Sequence, residues 1–207
     1  MARPRTDIAP RILAAARARF LTHGVDGASL RDIARDARTS IGMVYYYFPT
    51  KDALFMAVVE EVYKRLLADM AGVLGSTGPL AERIQRLYQR HAGASDEEIT
   101  VLQIVIREML SSSGRRKLLL DRFLKGHIPV LMSAVMAGMA SGEIAPGQHP
   151  AVVGISTLLL AIMPQVIHRL ASPNLPAGFL PSAQEFAAGF AAVTLEGISR
   201  ASRRPSP

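Results

Sequence analysis

Cysteine is absent from all 207 residues. Disulfides, thiolate catalysis and cysteine-ligated zinc are therefore excluded, and a cytoplasmic location is expected. Aromatic residues reach only 6%, β-branched runs are few, and no alternating strand pattern exceeds four residues, so sheet is not expected. Long hydrophobic runs are scarce too. The longest, Val152 to Met163, contains Gly154, Ser156 and Thr157 and falls short of the roughly 18–20 residues of a membrane span. It reads as a buried helix, and no membrane partner is expected. The opening Met-Ala-Arg-Pro-Arg leads into a charged helical pattern, unlike a signal peptide. His23, His91, His127, His149 and His168 are scattered, with no metal-binding pair, and neither a glycine-rich phosphate loop nor a nucleophile elbow occurs. No enzyme, metal site or cofactor is expected.

What is present is apolar and helix-forming. Apolar residues make up 49% of the chain, enough to bury a sizeable core, and the richness in Ala and Leu favours helices. The net charge is +7. Residues 1–52 hold nine basic and five acidic side chains, a surplus of +4. Such a surplus points to an anionic partner, either nucleic acid or a membrane surface. The amphipathic stretch 51–74 would suit a membrane surface, but it carries both charge signs and equally serves as a connecting helix.

An all-α fold of about nine helices follows from the apolar spacing. A basic arm, 1–6, holds Arg3 and Arg5. A helix at 7–23 has Ile8, Ile12, Ala16 and Phe20 on one stripe and ends at Gly24, which is free to take positive φ. A short helix at 30–37 is capped by Ser29, with Asp32 three residues on as in a capping box, and buries Leu30, Ile33, Ala34 and Ala37. A tight turn, Arg38-Thr39, leads to a third helix from Ser40. It buries Ile41, Val44, Tyr47 and Phe48 and stops at Pro49. Thr50 caps a long helix at 51–74. Further helices are expected at 80–93, 96–113, 115–141, 149–171 and 182–203, divided by clusters of Gly, Pro and Ser. The end, Arg203-Arg204-Pro-Ser-Pro, is expected to fray.

Two short helices joined by a tight turn form a helix-turn-helix, whose second helix enters the major groove of DNA. Residues 29–48 fit it. Val44 and Phe48 hold the second helix on the domain, Met43, Tyr45 and Tyr46 face outward, and Gly42 lets the backbone approach. Tyr hydroxyls bind phosphate and their rings touch sugar or thymine methyls. Three consecutive aromatics cannot share one helical face, so Tyr47 is either core or contact. Lys51, in the first turn of the next helix, opposes the helix dipole unless a phosphate sits there. Arg31 lies on the outer face near the turn, Arg35 and Arg38 face solvent or phosphate, and Arg3 and Arg5 suit a minor groove. The expected DNA contacts are Ser29, Arg31, Thr39, Ser40, Ile41, Gly42, Met43, Tyr45, Tyr46 and Lys51.

The stretch Ser29 to Leu54 resembles the tetracycline-repressor (TetR) family of regulators. It has Ser29 opening one helix, Ile33-Ala34 within it, Ser40 and Gly42 opening the next, then Tyr45, Tyr47-Phe48, Lys51 and Leu54. With the first helix the likeness extends over residues 6–66. Two departures stand out. Arg38-Thr39 replaces Gly-Val in the turn, so either Arg38 holds a left-handed conformation at about 1 kcal/mol or the turn differs. Ile41 and Met43 replace a polar and a small residue, which implies apolar contact to thymine methyls.

The resemblance implies a helix-turn-helix DNA-binding domain at 6–66 and an effector-binding and dimerisation domain at 67–203. It further implies a homodimer paired through helices 149–171 and 182–203 as a four-helix bundle. Such a dimer would bind a palindromic double-stranded operator, most often as a repressor, and leave it when a small-molecule effector binds. Dimer contacts are expected at Phe186, Gly189, Phe190, Val193 and Gly197. Effector contacts are expected at Leu102, Ile106, Met109, Phe123, His127, Leu131, Met163 and Ile167. The adaptable Met side chains favour a lipophilic effector, and Pro164 is expected to kink its helix.

Overall fold

The computed structural model describes residues 7–111 and 114–199. The expectations for Arg3, Arg5 and the end from residue 200 lie outside them. Among the described residues there are ten α-helices and no strand: α1 Ile8–Gly27, α2 Leu30–Asp36, α3 Ile41–Tyr47, α4 Lys51–Leu74, α5 Leu80–Ala92, α6 Asp96–Leu110, α7 Arg115–Leu124, α8 His127–Ala140, α9 Pro150–Ala171 and α10 Ala183–Ser199. The described residues group into two compact units. One takes those up to Arg65 together with Asp96–Arg122, and the other takes Leu66–Ser95 and those from Phe123 onward.

In the first unit, α1 packs on α2, α3 and α6. The stripe Ile12, Ala16 and Phe20 is fully buried, as are Ile33, Val44, Leu54, Phe55 and Ile104. The Phe20 and Phe55 rings meet edge to face at 6.4 Å. Each such large side chain removed from water contributes about 1.5–3 kcal/mol. Gly24 takes φ 73°, breaking α1 where expected, but one more helical turn follows to Gly27.

The second unit has an almost wholly apolar core. Met70, Leu74, Leu80, Ile84, Leu87 and Tyr88 pack with Leu131, Val135, Val153, Ala161, Ala191 and Ile198. A Cβ on Gly138 would lie 2.4 Å from the tip of the Leu80 side chain, so Leu80 fills the space that a side chain at 138 would need. The expected helix 115–141 is two helices. Gly126, at φ −124° and ψ −108°, leaves the helical region and divides α7 from α8. Pro164 lies buried inside α9 without ending it. By length and composition α9 could cross a membrane, yet it packs on α5, α8 and α10 within this unit.

Candidate nucleic-acid interface

Three caps set the helix-turn-helix. Ser29 Oγ accepts from Asp32 N at 3.4 Å, Ser40 Oγ from Met43 N at 3.2 Å, and Thr50 Oγ1 from Ala53 N at 3.0 Å. Each satisfies one amide that a helix start otherwise leaves open. The reciprocal half of the capping box does not form. The Asp32 carboxylate pairs with Arg35 at 2.7 Å instead.

The turn resolves the choice left open at Arg38. It takes φ 51°, the one non-glycine positive φ among the described residues. The strain is supported from α1, where Arg11 Nη1 donates to the carbonyls of Ala37 at 2.9 Å and Arg38 at 3.4 Å. Thr39 N donates to Ala34 O at 3.0 Å. No sequence signal marked Arg11, because its partner lies 26 residues away.

Val44 is fully buried and anchors α3, whereas Tyr45 is 51% and Tyr46 76% exposed. Ile41, Met43 and Tyr47 are half-buried, and Tyr47 packs edge to face with Tyr46 at 5.2 Å. Gly42 is exposed, and a Cβ there would meet only Ser40 Oγ at 3.8 Å. No contact among the described residues demands glycine at that point. Ser29, Arg31, Arg38 and Ser40 are exposed and Thr39 is half-buried. Arg35 is occupied by Asp32 and Asp36, and Asp36 also accepts from Arg19 at 2.6 Å.

Lys51 opens α4 half-buried, and its Nζ donates to Asp26 O at 2.9 Å. Asp26 also binds a residue that no motif had marked. Arg115, the first residue of α7, is only 8% exposed in its side chain. It donates to Asp26 Oδ1 at 2.5 Å, Asp52 Oδ1 at 2.9 Å and the buried Glu108 Oε2 at 2.8 Å. Burial works against its charge, but the bonds to Asp26, Glu108 and Asp52 outweigh it and hold the guanidinium above its ordinary value. The hydrogen bond from Arg115, then its charge, holds the Asp26 carboxyl below the usual range.

Of the expected effector contacts, Leu102, Ile106 and Met109 are half-buried on α6 in the first unit. In the second unit the Phe123 and His127 rings lie 4.7 Å apart, Leu131 is buried, Met163 is half-buried and Ile167 is exposed. On α10, Phe186 and Phe190 stack edge to face at 5.0 Å, while Gly189, Val193 and Gly197 are exposed.

Residues 12–58 match the family described as bacterial regulatory proteins, tetR family. The chain is 32% identical over 139 residues to the HTH-type transcriptional regulator RutR of Escherichia coli K12, a match spanning 65% of this chain and 63% of RutR. It is 30% identical over 139 residues to the HTH-type transcriptional repressor NicS of Pseudomonas putida, spanning 63% of each. The chain thus spans a little under two thirds of the length of these relatives. The fold is similar to that of the transcriptional regulator FadR from Bacillus subtilis, solved in complex with stearoyl-CoA. Its TM-score is 0.71 at 18% identity, covering 91% of this chain and 98% of that one. These relatives are transcriptional regulators rather than enzymes. The segment 12–58 thus matches the tetR family of bacterial regulatory proteins, and the likeness to transcriptional regulators extends over a longer stretch.

Proposed function

We propose that the chain is a cytoplasmic, sequence-specific DNA-binding repressor that acts as a homodimer and leaves a palindromic operator when a small lipophilic effector binds. The observation that carries the DNA-binding reading is the split face of α3. Val44 is fully buried while its neighbours Tyr45 and Tyr46 project into solvent. A helix anchored on one side by an aliphatic residue and bare on the other is suited to lie in a major groove. Tyr45, Tyr46, Lys51 and the caps Ser29 and Ser40 would bind phosphate. Ile41, Met43 and the open Gly42 would approach the base edges. Arg31, Thr39 and Arg38 would flank the groove.

Dimerisation is supported by the apolar residues left exposed on the last two helices. Val152, Ile155 and Leu159 on α9 and Val193 on α10 are each more than half exposed, and Gly189 and Gly197 would let a partner helix come close. Pairing of α9 and α10 with a second copy would cover them. The lipophilic effector rests on the apolar core of the second unit and on the stearoyl-CoA bound by FadR.

Selection of bound duplexes from a randomised library tests this reading. A palindrome with half-sites about one helical turn apart, or a multiple of that, is the expected result. Tyr45→Ala and Lys51→Ala should weaken binding to that duplex while circular dichroism stays unchanged. Recovery of no enriched sequence would overturn the reading, as would parental affinity in the double variant.

A further inference from the structure

We propose that Arg115 is a positioning residue of the DNA-binding surface, drawing two carboxylates into hydrogen bonds and offsetting part of the charge with which they would otherwise repel the phosphate at the start of α4. The inference rests on the DNA-binding reading above. Three charged groups meet at that end of the first unit. Lys51 offers its ammonium, but Asp26 and Asp52 lie beside it. The Lys51 Nζ sits on the carbonyl of Asp26, and Asp52 is the next residue of α4. The Asp26 and Asp52 side chains are 81% and 50% exposed. Left to themselves, two carboxylates flanking one ammonium would present a net negative patch where the backbone of DNA has to sit.

The buried guanidinium lessens that surplus, bringing the four groups nearest the surface from one net negative charge to none. Arg115 reaches both aspartates from below, at 2.5 and 2.9 Å, so their charge is satisfied on the protein side and Lys51 is left to face outward. The planar fork of arginine is what permits this. Nη1 and Nη2 serve one aspartate each, and Nε is held by Glu108 at 2.8 Å. Glu108 is 5% exposed and lies well inside, so it fixes the direction of the fork without adding to the surface charge. The device spans four helices of one unit. α7 supplies the cation, α6 orients it, and the end of α1 and the start of α4 receive it. Any event that withdrew the first turn of α7 would uncover both aspartates together and turn the phosphate seat repulsive.

The test uses the full chain and two probes, a duplex enriched from the randomised library and a mixed-sequence duplex. Arg115→Gln alone would strand the Glu108 charge in the interior, so the working variant is Arg115→Gln with Glu108→Gln, its fold checked by circular dichroism and melting. The variant loses one charge of each sign and keeps the parent's net charge, but the lost cation is the one bonded to the exposed aspartates, so it should bind both duplexes about threefold more weakly at low salt, and the deficit should shrink as salt rises and screens those aspartates. Adding Asp26→Asn and Asp52→Asn should restore binding to about the parent's level, while the same Asn pair in the parental background should strengthen it less; equal gains in both backgrounds would mean that the Asn pair acts by charge alone and would overturn the proposal. Parental affinity in the Gln/Gln variant would overturn the proposal, and so would a deficit that neither salt nor the Asn pair relieves. Lys51→Ala is the control. If Lys51→Ala weakens binding and the Gln/Gln variant does not, only the role of Arg115 fails. If neither change matters, the interface reading fails first.

Discussion

The two units are held together by different forces. The first is laced with charge. Arg17 bridges Glu61 and Glu97, Arg65 also reaches Glu97 at 2.6 Å, Arg19 holds Asp36, Arg122 pairs with Glu60 and lies over the Tyr63 ring, and Arg115 gathers three carboxylates. The second rests on a continuous apolar core threaded by a few polar bonds, such as Tyr88 to Thr194 at 2.7 Å. The difference suits what each does under the proposed function. Ion pairs are directional and fix helices at set angles, as a surface that reads DNA requires. Apolar packing has no preferred direction and tolerates rearrangement, as a unit that accepts an effector requires.

Breaking the buried pair tests the contrast most severely. Glu108→Ala takes one of three carboxylates from Arg115, which keeps Asp26 and Asp52, and should cost about 1.5–3 kcal/mol in urea unfolding. Tyr88→Phe, its counterpart in the second unit, strands the buried Thr194 hydroxyl and should cost about 1–3 kcal/mol.

The pH responses should separate the units in opposite directions. Burial pushes the Tyr88 phenol from 10.0 up to about 12. A raised value means that the unfolded chain loses its proton first, so this contribution is complete below pH 10 and is lost as pH rises toward 12. In Tyr88→Phe that alkaline loss should disappear. In the first unit, hydrogen bonds from Arg115, Arg19 and Arg65 hold Asp26, Asp36 and Glu97 below their ordinary values. Their contributions are present above the usual carboxylate range and vanish as pH falls below it. Glu61 runs the other way, because burial raises it in spite of Arg17, and it softens the acid response. Residue-resolved NMR should therefore see α1 and α6 lose order first in acid, and α5 and α10 first in alkali. Simultaneous loss in both titrations would erase the distinction.

Much of the first unit was legible because its signals are local. Ser29 and Thr50 announce caps, Ser40 a helix start, Pro49 a stop, and the Arg38-Thr39 turn a choice between a strained residue and a different turn. The alternation of Val44 with Tyr45 and Tyr46 fixed the face of α3. The break at Gly126 was missed because apolar residues continue on both sides of it, and a lone glycine is tolerated inside many helices. Arg11 and Arg115 were missed for a different reason. Their partners at 37–38 and at 26, 52 and 108 are neighbours only after folding, and no periodicity records a guanidinium that reaches across helices. The apolar faces of α9 and α10 were visible as composition, but not which residues would be left uncovered.

Two smaller effects complete the comparison. With φ at 51°, Arg38→Gly should be about 1 kcal/mol more stable than Arg38→Ala in thermal melts, since only the alanine keeps a Cβ in the left-handed region. Tyr46→Ala should leave stability within about 0.5 kcal/mol of the parent, because its exposed ring adds little to the fold.

The Arg11 clamp has an evolutionary consequence. The angle at which α3 leaves the turn is set by a guanidinium on α1 and two carbonyls of the turn, none of them on the outward face of the helix. Residues 45 and 46, both exposed, are therefore free to drift without tilting the helix that carries them. A lineage could retarget such a regulator by exchanging a handful of surface side chains, while the mount that aims them is inherited intact.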